Sequence, residues 1–371
     1  MYKSLIKLDP VNNSNRFCNM EINNCGKLVV TVGRVGAKGV PSVYPAGLFD
    51  KLYRKKLSEG FTDRTEYTAP TVSEKFKPIT DKEVAVLWSF LCSAAKKHLE
   101  QTYVSFDTVS EKMIGDAKAL LTSLATGLTL DDFNEELIKL FGIIPRKSPN
   151  LAMELAESVK DYDRIIQREW DLIDVLEPQV KHKTVNAPKQ TPLEALGLSI
   201  SSCSDEEIAN IRKHLSRRTQ DAFINAYKVD NGRPIIRKGE RHLLYHGSRN
   251  ANWYGIITEG NRLHPNAIIT GKMFGEGIYF APQSKKSQGY TDAGGVWTKS
   301  NKGKGFIGVY EVYLKNPKYI DTWSNSCVNF PRGIGAHDSV WAKAGVSLLH
   351  DEVIVYSEKQ AKLKYLIEIG G

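Results

Sequence analysis

Four short segments place residues that could build one chemical site. LLYHGS puts His246 beside Gly247 at the end of an apolar run, and GEGIYFAP puts Tyr279 in a glycine-flanked segment. SQGY spaces Ser287 and Tyr290 three apart, and HDEVIVY sets one carboxylate, Glu352, ahead of a β-branched run. That flank reads as a strand, which would hold Glu352 at a fixed depth and not on a mobile loop. Gly247 lets a backbone N–H and C=O approach a ligand where a side chain would clash. Each piece alone is weak. A strand-end His followed by Gly is more often structural, and tyrosines in strands more often pack in a core. Order and flanks together make the set specific. Cysteines 18, 25, 92, 203 and 327 show no CxxC or Cys/His spacing suited to zinc and read as free thiols of a reducing compartment.

Read together, these motifs resemble the NAD-binding site of the poly(ADP-ribose) polymerases. The resemblance implies a triad of His246, Tyr279 and Glu352 on three separated strands. It further implies that Gly247 and Ser287 meet the carboxamide of NAD, that Tyr290 stacks on the nicotinamide ring, and that Tyr279 lines the other side. His246 would bind the adenine-ribose hydroxyl, Asn252 and Arg262 would line the adenosine side, and Lys286 would orient Glu352 or the donor. Residues 263–276 correspond to the loop over the donor site. NAD is itself a glycoside, and its nicotinamide leaves as a neutral base, so one carboxylate can suffice where glycosidases use two. In that setting Glu352 would hydrogen-bond the nicotinamide-ribose hydroxyl and polarise the acceptor. No metal is implied.

Glutamate at the third triad position accompanies chain-elongating members, which points to poly(ADP-ribosyl)ation of proteins, the protein itself included. His350 stands where elongating members commonly carry Tyr, Glu276 where Lys is usual, and the acceptor-side insertion around PRGIGAHDSVWAKAG is short. A mono-ADP-ribosyltransferase and a catalytically silent DNA-binding scaffold are the alternatives, with a toxin-like, DNA-independent transferase as a third.

At 371 residues the chain is long for one core and suggests two or three domains. Hydrophobic residues make up 41% and charged residues 25%, enough to bury sizeable cores. The formal charge of +9 favours a polyanionic partner without naming one. No apolar h-region opens the sequence and no run approaches the ~18 apolar residues of a spanning helix, so a soluble intracellular protein is expected, with no membrane partner. Its compartment would be the nucleus in a eukaryote, or the cytoplasm and nucleoid in a bacterium.

The elements needed to position the site follow from periodicity. The expected fold class is α+β multidomain: a small β-rich domain over residues 1–75, a helical bundle over 76–183, and a mixed α/β domain over 184–371. SLIKL, FCNMEI and KLVVTVGRVG alternate as strands, and LFDKLYRKKLSEG reads as one amphipathic helix with apolar residues at 48, 49, 52 and 57 and Gly60 as its stop. Gly33, Arg34, Val35 and Gly36 followed by GFTDRT are similar to a WGR domain, with Val32 in place of the name-giving Trp. This implies contact with DNA ends or nicks, Arg34 and Lys38 serving as phosphate contacts. Residues 1–70 hold 11 Lys/Arg against 6 Asp/Glu, which suits that partner, although Arg34 could equally make a structural contact to another domain.

The middle segment is expected to be helical, with breaks at Gly127, Gly142 and PRKSPN, and it resembles the regulatory helical domain of DNA-dependent members. Asp171 is its candidate for facing the NAD site. VKHKTVNAPKQTP reads as a linker. Beyond it LEALGLSIS, FINAYKV, HLLYHGS, GIYFAP, KGFIGVYEVYL, DEVIVY and KYLIEI are expected strands, and SDEEIANIRKHL a helix capped by Ser204 and Glu207.

Overall fold

The computed structural model describes residues 1–67, 76–103, 109–124, 127–183, 189–264 and 273–371. The expected junction near residue 75 and the middle of the expected linker lie outside these residues. The chain divides into two compact units, one containing Met1–Val72 and His98–Lys181, the other Ser73–Lys97, His182–Pro265 and Ile269–Gly371. Each unit holds both helices and β-sheet, in keeping with the expected α+β multidomain class.

In the first unit β1 (Tyr2–Asp9), β2 (Ser14–Ile22), β3 (Lys27–Arg34), β4 (Val40–Pro45) and β5 (Thr62–Asp63) form an antiparallel sheet in the order β4-β3-β2-β1-β5. Side chains alternate across a strand, so Cys18 and Met20 on β2 and Leu28 and Val30 on β3 fall on one face with Leu5. Helix α1 (Phe49–Ser58) closes over that face with Phe49, Leu52 and Tyr53, and the chain leaves it at Gly60, whose φ of +85° suits glycine. Leu57, expected in the buried stripe, is instead 39% exposed.

Helices α2 (Lys82–Thr102), α3 (Glu111–Leu124), α4 (Leu130–Ile143) and α5 (Tyr162–Lys183) supply the helical part, with α2 divided between the two units. α4 ends at Ile143, one residue past Gly142, so the expected break falls there, with Leu140 and Phe141 buried in its last turn. Arg146 is buried between the rings of Tyr103 and Phe141 and forms an ion pair with the fully buried Glu169 of α5, which also binds Arg168. The same segment ties the bundle to the sheet. Arg34 donates to the carbonyls of Asn13, Ser148 and Pro149, and Asn15 donates to that of Arg146.

In the second unit a capping box of Thr191 and Glu194, with Pro192 at the first helical position, starts the short helix α6 (Pro192–Ala195). LEALG, expected to begin a strand, is thereby helical, and only β6 (Ser199–Ser202) is extended. Next come α7 (Asp205–Lys213), with the expected box of Ser204 and Glu207, and α8 (Arg217–Ala222). Then follow β7 (Phe223–Asp230), β8 (Glu240–Ser248), α9 (Asn250–Glu259), β9 (Ile278–Phe280), α10 (Ser284–Gln288), β10 (Ala293–Gly295) and β11 (Ser300–Asn301). The unit ends with β12 (Lys304–Leu314), β13 (Pro317–Ile320), β14 (Ser339–Ala342), β15 (Glu352–Val355) and β16 (Ala361–Gly370).

Two main sheets result, β6-β7-β16-β12-β8 and β13-β14-β15-β9. Strand β12 is covered on both sides, which is why KGFIGVYEVYL is almost continuously apolar. The early turns of α2 belong here, with Trp88 against Tyr254 and Phe90 against Phe306. A backbone bridge between Tyr245 and Ala281, two hydrogen bonds of 2.8 Å, joins β8 to the chain just after β9.

Glu169→Gln leaves Arg146 charged and buried beside a neutral amide, and should destabilise the first unit by about 3 kcal/mol. Urea unfolding followed by helix signal measures it; a loss under about 1 kcal/mol would contradict the assignment of this pair as a structural centre.

Candidate active site

β8 delivers His246 and Gly247. Opposite His246 in register stands Gly308 of β12, and the imidazole lies edge-on to Trp253, Phe280 and Tyr310 at centroid distances of 6.4, 5.9 and 6.0 Å. Its Nδ1 is 2.9 Å from the carbonyl oxygen of Tyr279. A carbonyl only accepts, so Nδ1 carries a proton.

Tyr279 sits on β9 opposite Ile354 of β15. Two residues apart on a strand share a face, so Tyr279 and Glu352 project from the same side of this sheet. The Tyr279 hydroxyl accepts from the Phe274 amide and donates to the Gly275 carbonyl, each at 3.0 Å. Burial pushes this phenol far above its ordinary pKa against the lowering pull of the Phe274 amide, and the Glu352 charge adds to the rise, so it stays protonated.

Glu352 is 9% exposed at the first position of β15, and Lys286 of α10 reaches its Oε1 at 2.5 Å. Lys286 also donates to the His350 carbonyl at 3.3 Å. Ser287, the next residue of α10, is buried, and its carbonyl oxygen lies 1.8 Å from where a β-carbon on Gly247 would stand. Only glycine admits this contact. Tyr290 follows one turn later, its amide donating to the Ser287 carbonyl at 3.1 Å and the residue 39% exposed.

Of the other expected site residues, Asn252 lies on α9 and donates to the Ser248 hydroxyl at 2.9 Å, while Arg262 pairs with Glu259 at 2.9 Å just beyond that helix. The expected donor-site loop falls mostly at residues 265–272, outside the described residues. In the first unit Arg34 is engaged by the carbonyls already named, Lys38 is exposed in the turn between β3 and β4, and Asp171 on α5 accepts from Gln167 at 2.5 Å. The described residues hold no group of His, Cys, Asp and Glu that could take a metal, and none of their helices is long and apolar enough to cross a membrane.

These positions bear on a comparison with known proteins. The poly(ADP-ribose) polymerase catalytic domain matches residues 202–323, a span that contains His246, Tyr279 and Lys286. The poly(ADP-ribose) polymerase-like protein 100L of Invertebrate iridescent virus 6 is 32% identical over 138 residues, covering 34% of this chain and 70% of that protein. This chain is a member of the poly(ADP-ribose) polymerase family. Poly(ADP-ribose) polymerase 2 of Homo sapiens is 33% identical over 160 residues, covering 35% of this chain. Poly(ADP-ribose) polymerase 1 of Danio rerio is 24% identical over 94% of this chain. The chain spans only 39% of the zebrafish protein's length and 26% of the human one's.

Sequence reasoning missed the residues that hold Glu352 from behind. The carboxylate of Asp351 accepts from the Trp341 indole at 2.7 Å, the Lys343 ammonium at 3.2 Å and the Ala344 amide at 2.8 Å, fixing the turn that leads into β15. The signal available was an acidic residue next to the motif carboxylate and a Trp-x-Lys opposite it. Burial pushes the Asp351 carboxyl up, but the Ala344 amide, Trp341 and Lys343 outweigh it and hold it below the usual range. A depressed carboxyl adds stability above its unfolded pKa of about 3.9, and that contribution is lost as pH falls through the lower folded value.

Asp351→Asn should therefore melt below the wild type at pH 7, the gap closing at pH 3 and below; a gap that persists undiminished in acid would contradict this. Gly247→Ala forces the Ser287 carbonyl to move by more than an ångström and should destabilise by about 2 kcal/mol or more. Melting curves check it, an unchanged midpoint being the contrary result.

Proposed function

We propose that the protein is an NAD-dependent ADP-ribosyltransferase in which His246, Tyr279 and Glu352 act on the donor. The observation that carries the reading is one cluster in the second unit. Glu352 lies nearly out of solvent on the face shared with Tyr279, Lys286 engages its Oε1, and the Tyr279 carbonyl orients His246. The donor set suits NAD: an imidazole for a ribose hydroxyl, a bare backbone edge at Gly247 beside Ser287 for the carboxamide, and Tyr279 and Tyr290 as ring partners. NAD supplies an ADP-ribosyl group on a base that leaves neutral, so the site needs no general acid. Glu352 stabilises the positive charge that develops on the ribose and polarises the acceptor hydroxyl. Lys286 restricts the carboxylate's rotation. Asn252 and Arg262 serve the adenosine side, Arg262 being held by Glu259.

We extend the proposal to polymer formation on proteins, the protein itself included, switched on by DNA ends or nicks. The names of the relatives and the glutamate at position 352 support the first part. The excess of basic residues over 1–70 supports the second, with the WGR-like segment over 1–75 as DNA contact, 76–183 as regulatory bundle and 184–371 as transferase. Lys38 is the freer of the two expected DNA contacts, since Arg34 is already bound to backbone carbonyls. The reading places the protein inside the cell, with DNA.

The test is incorporation of labelled NAD by purified protein, with and without nicked or blunt-ended DNA, resolved on a gel beside Glu352→Gln. A DNA-stimulated ladder is expected, and the variant should lose roughly a hundredfold or more in rate. A single discrete band in both conditions would favour mono-ADP-ribosyl transfer, which His350 and Glu276 allow. No label at all would leave a silent scaffold.

A further inference from the structure

We propose that Trp297 is a positioning residue that braces Tyr290, and with it the nicotinamide end of the donor site, from the solvent side. This rests on the transferase reading above. The Trp297 indole stacks on the Tyr290 ring, centroids 6.2 Å apart and planes 24° from parallel, although 64% of the residue is exposed. An exposed indole adds little to any core, so its position has to be imposed by the backbone.

The backbone does impose it. The Trp297 amide donates to the Gly289 carbonyl at 3.0 Å, and the Thr298 hydroxyl donates to that of Thr291 at 2.7 Å, closing the loop on itself. Gly289 leaves the space that the indole occupies: a β-carbon there would stand 3.0 Å from the Trp297 ring. The loop is anchored in turn through Asp292, which is buried. Its carbonyl accepts from the Lys302 amide at 2.7 Å, and its carboxylate accepts from the Asn250 amide at the start of α9 at 2.9 Å.

The consequence concerns Tyr290. It is the only expected ring partner of nicotinamide that is substantially exposed, and it hangs from the end of α10 by one turn. A tyrosine so placed samples other rotamers unless something occupies its outer face. Trp297 occupies that face and leaves the inner one for a planar ligand. A braced ring loses less freedom when a ligand stacks on it, so the benefit falls on binding of the donor.

The experiment compares wild type, Trp297→Ala and Trp297→Phe as full-length proteins, by steady-state kinetics on NAD and by tryptophan emission during titration with nicotinamide. The expected result is a KM for NAD raised about three- to tenfold in the Ala variant with kcat within about twofold, and recovery in the Phe variant. Nicotinamide should quench wild-type emission, and the quenching should be largely lost in Trp297→Phe, which keeps the other five tryptophans. An unchanged KM in Trp297→Ala, or a loss of kcat alone, overturns the proposal while leaving the transferase reading intact. Should the wild type transfer nothing, the titration still decides. Quenching that depends on Trp297 upholds the brace and sinks only the transferase, and quenching indifferent to it sinks both.

Discussion

The Ser287 carbonyl sits where a β-carbon on Gly247 would have to be, and the candidate site depends on that contact. It seats α10 directly on β8. Because α10 is only five residues long, its seat settles the placement of everything it carries: Lys286 toward Glu352, Ser287 beside the bare backbone, and Tyr290 one turn on. The other half of the cluster comes from a different sheet and is brought in by the bridge between Tyr245 and Ala281 and by the register of β9 on β15. Three strands from two sheets meet at one place through one close approach and one bridge. Neither tolerates much adjustment, and such rigidity is what a site that must present fixed hydrogen-bonding groups requires.

Much of this was legible in the chain before any coordinates. Strand alternation in FCNMEI and KLVVTV, the box at Ser204 and Glu207, and the glycine-flanked GIYF all read true, because each is a local rule with a local cause. The misreadings have equally specific causes. LEALG looked extended by composition, yet Thr191, Pro192 and Glu194 supply a complete helix start that outweighs it. Leu57 fits the apolar stripe of α1 by spacing and is still exposed. Candidate site residues were found by motif. Their supports, Asp351 with Trp341 and Lys343, or Trp297 beside Tyr290, depend on pairings across strands and loops that no short motif encodes.

Charge is where sequence and structure differ most in what they say. An excess of Lys and Arg in the first 70 residues describes a potential partner, but it does not reveal which side chains remain available to one. Arg34 is the instructive case. Its guanidinium is committed to the carbonyls of Asn13, Ser148 and Pro149, linking sheet and bundle within one unit, so its contribution to a basic surface is smaller than its formal charge suggests. Counting therefore overstates the electrostatic footprint at just those arginines whose planar donors suit them to bind backbone.

Two ion pairs among the described residues show how structural and functional charge can be told apart. Glu169 is fully buried, is shared between Arg146 and Arg168, and has its main partner enclosed by two aromatic rings. Such a pair is closed to solvent, and it ties α5 to the segment that follows α4. Glu352 and Lys286 keep about 12% of their side chains exposed, join through a single contact to Oε1, and stand beside Tyr279, whose ionisation burial and the Glu352 charge disfavour. Taking that pair out of water is poorly compensated by its own geometry, so stability alone gives no reason to keep it. A carboxylate partly desolvated, held by one strap and still reachable from solvent is in the state in which a new hydrogen bond to it has its greatest effect, and a ribose hydroxyl is the kind of group that would supply one.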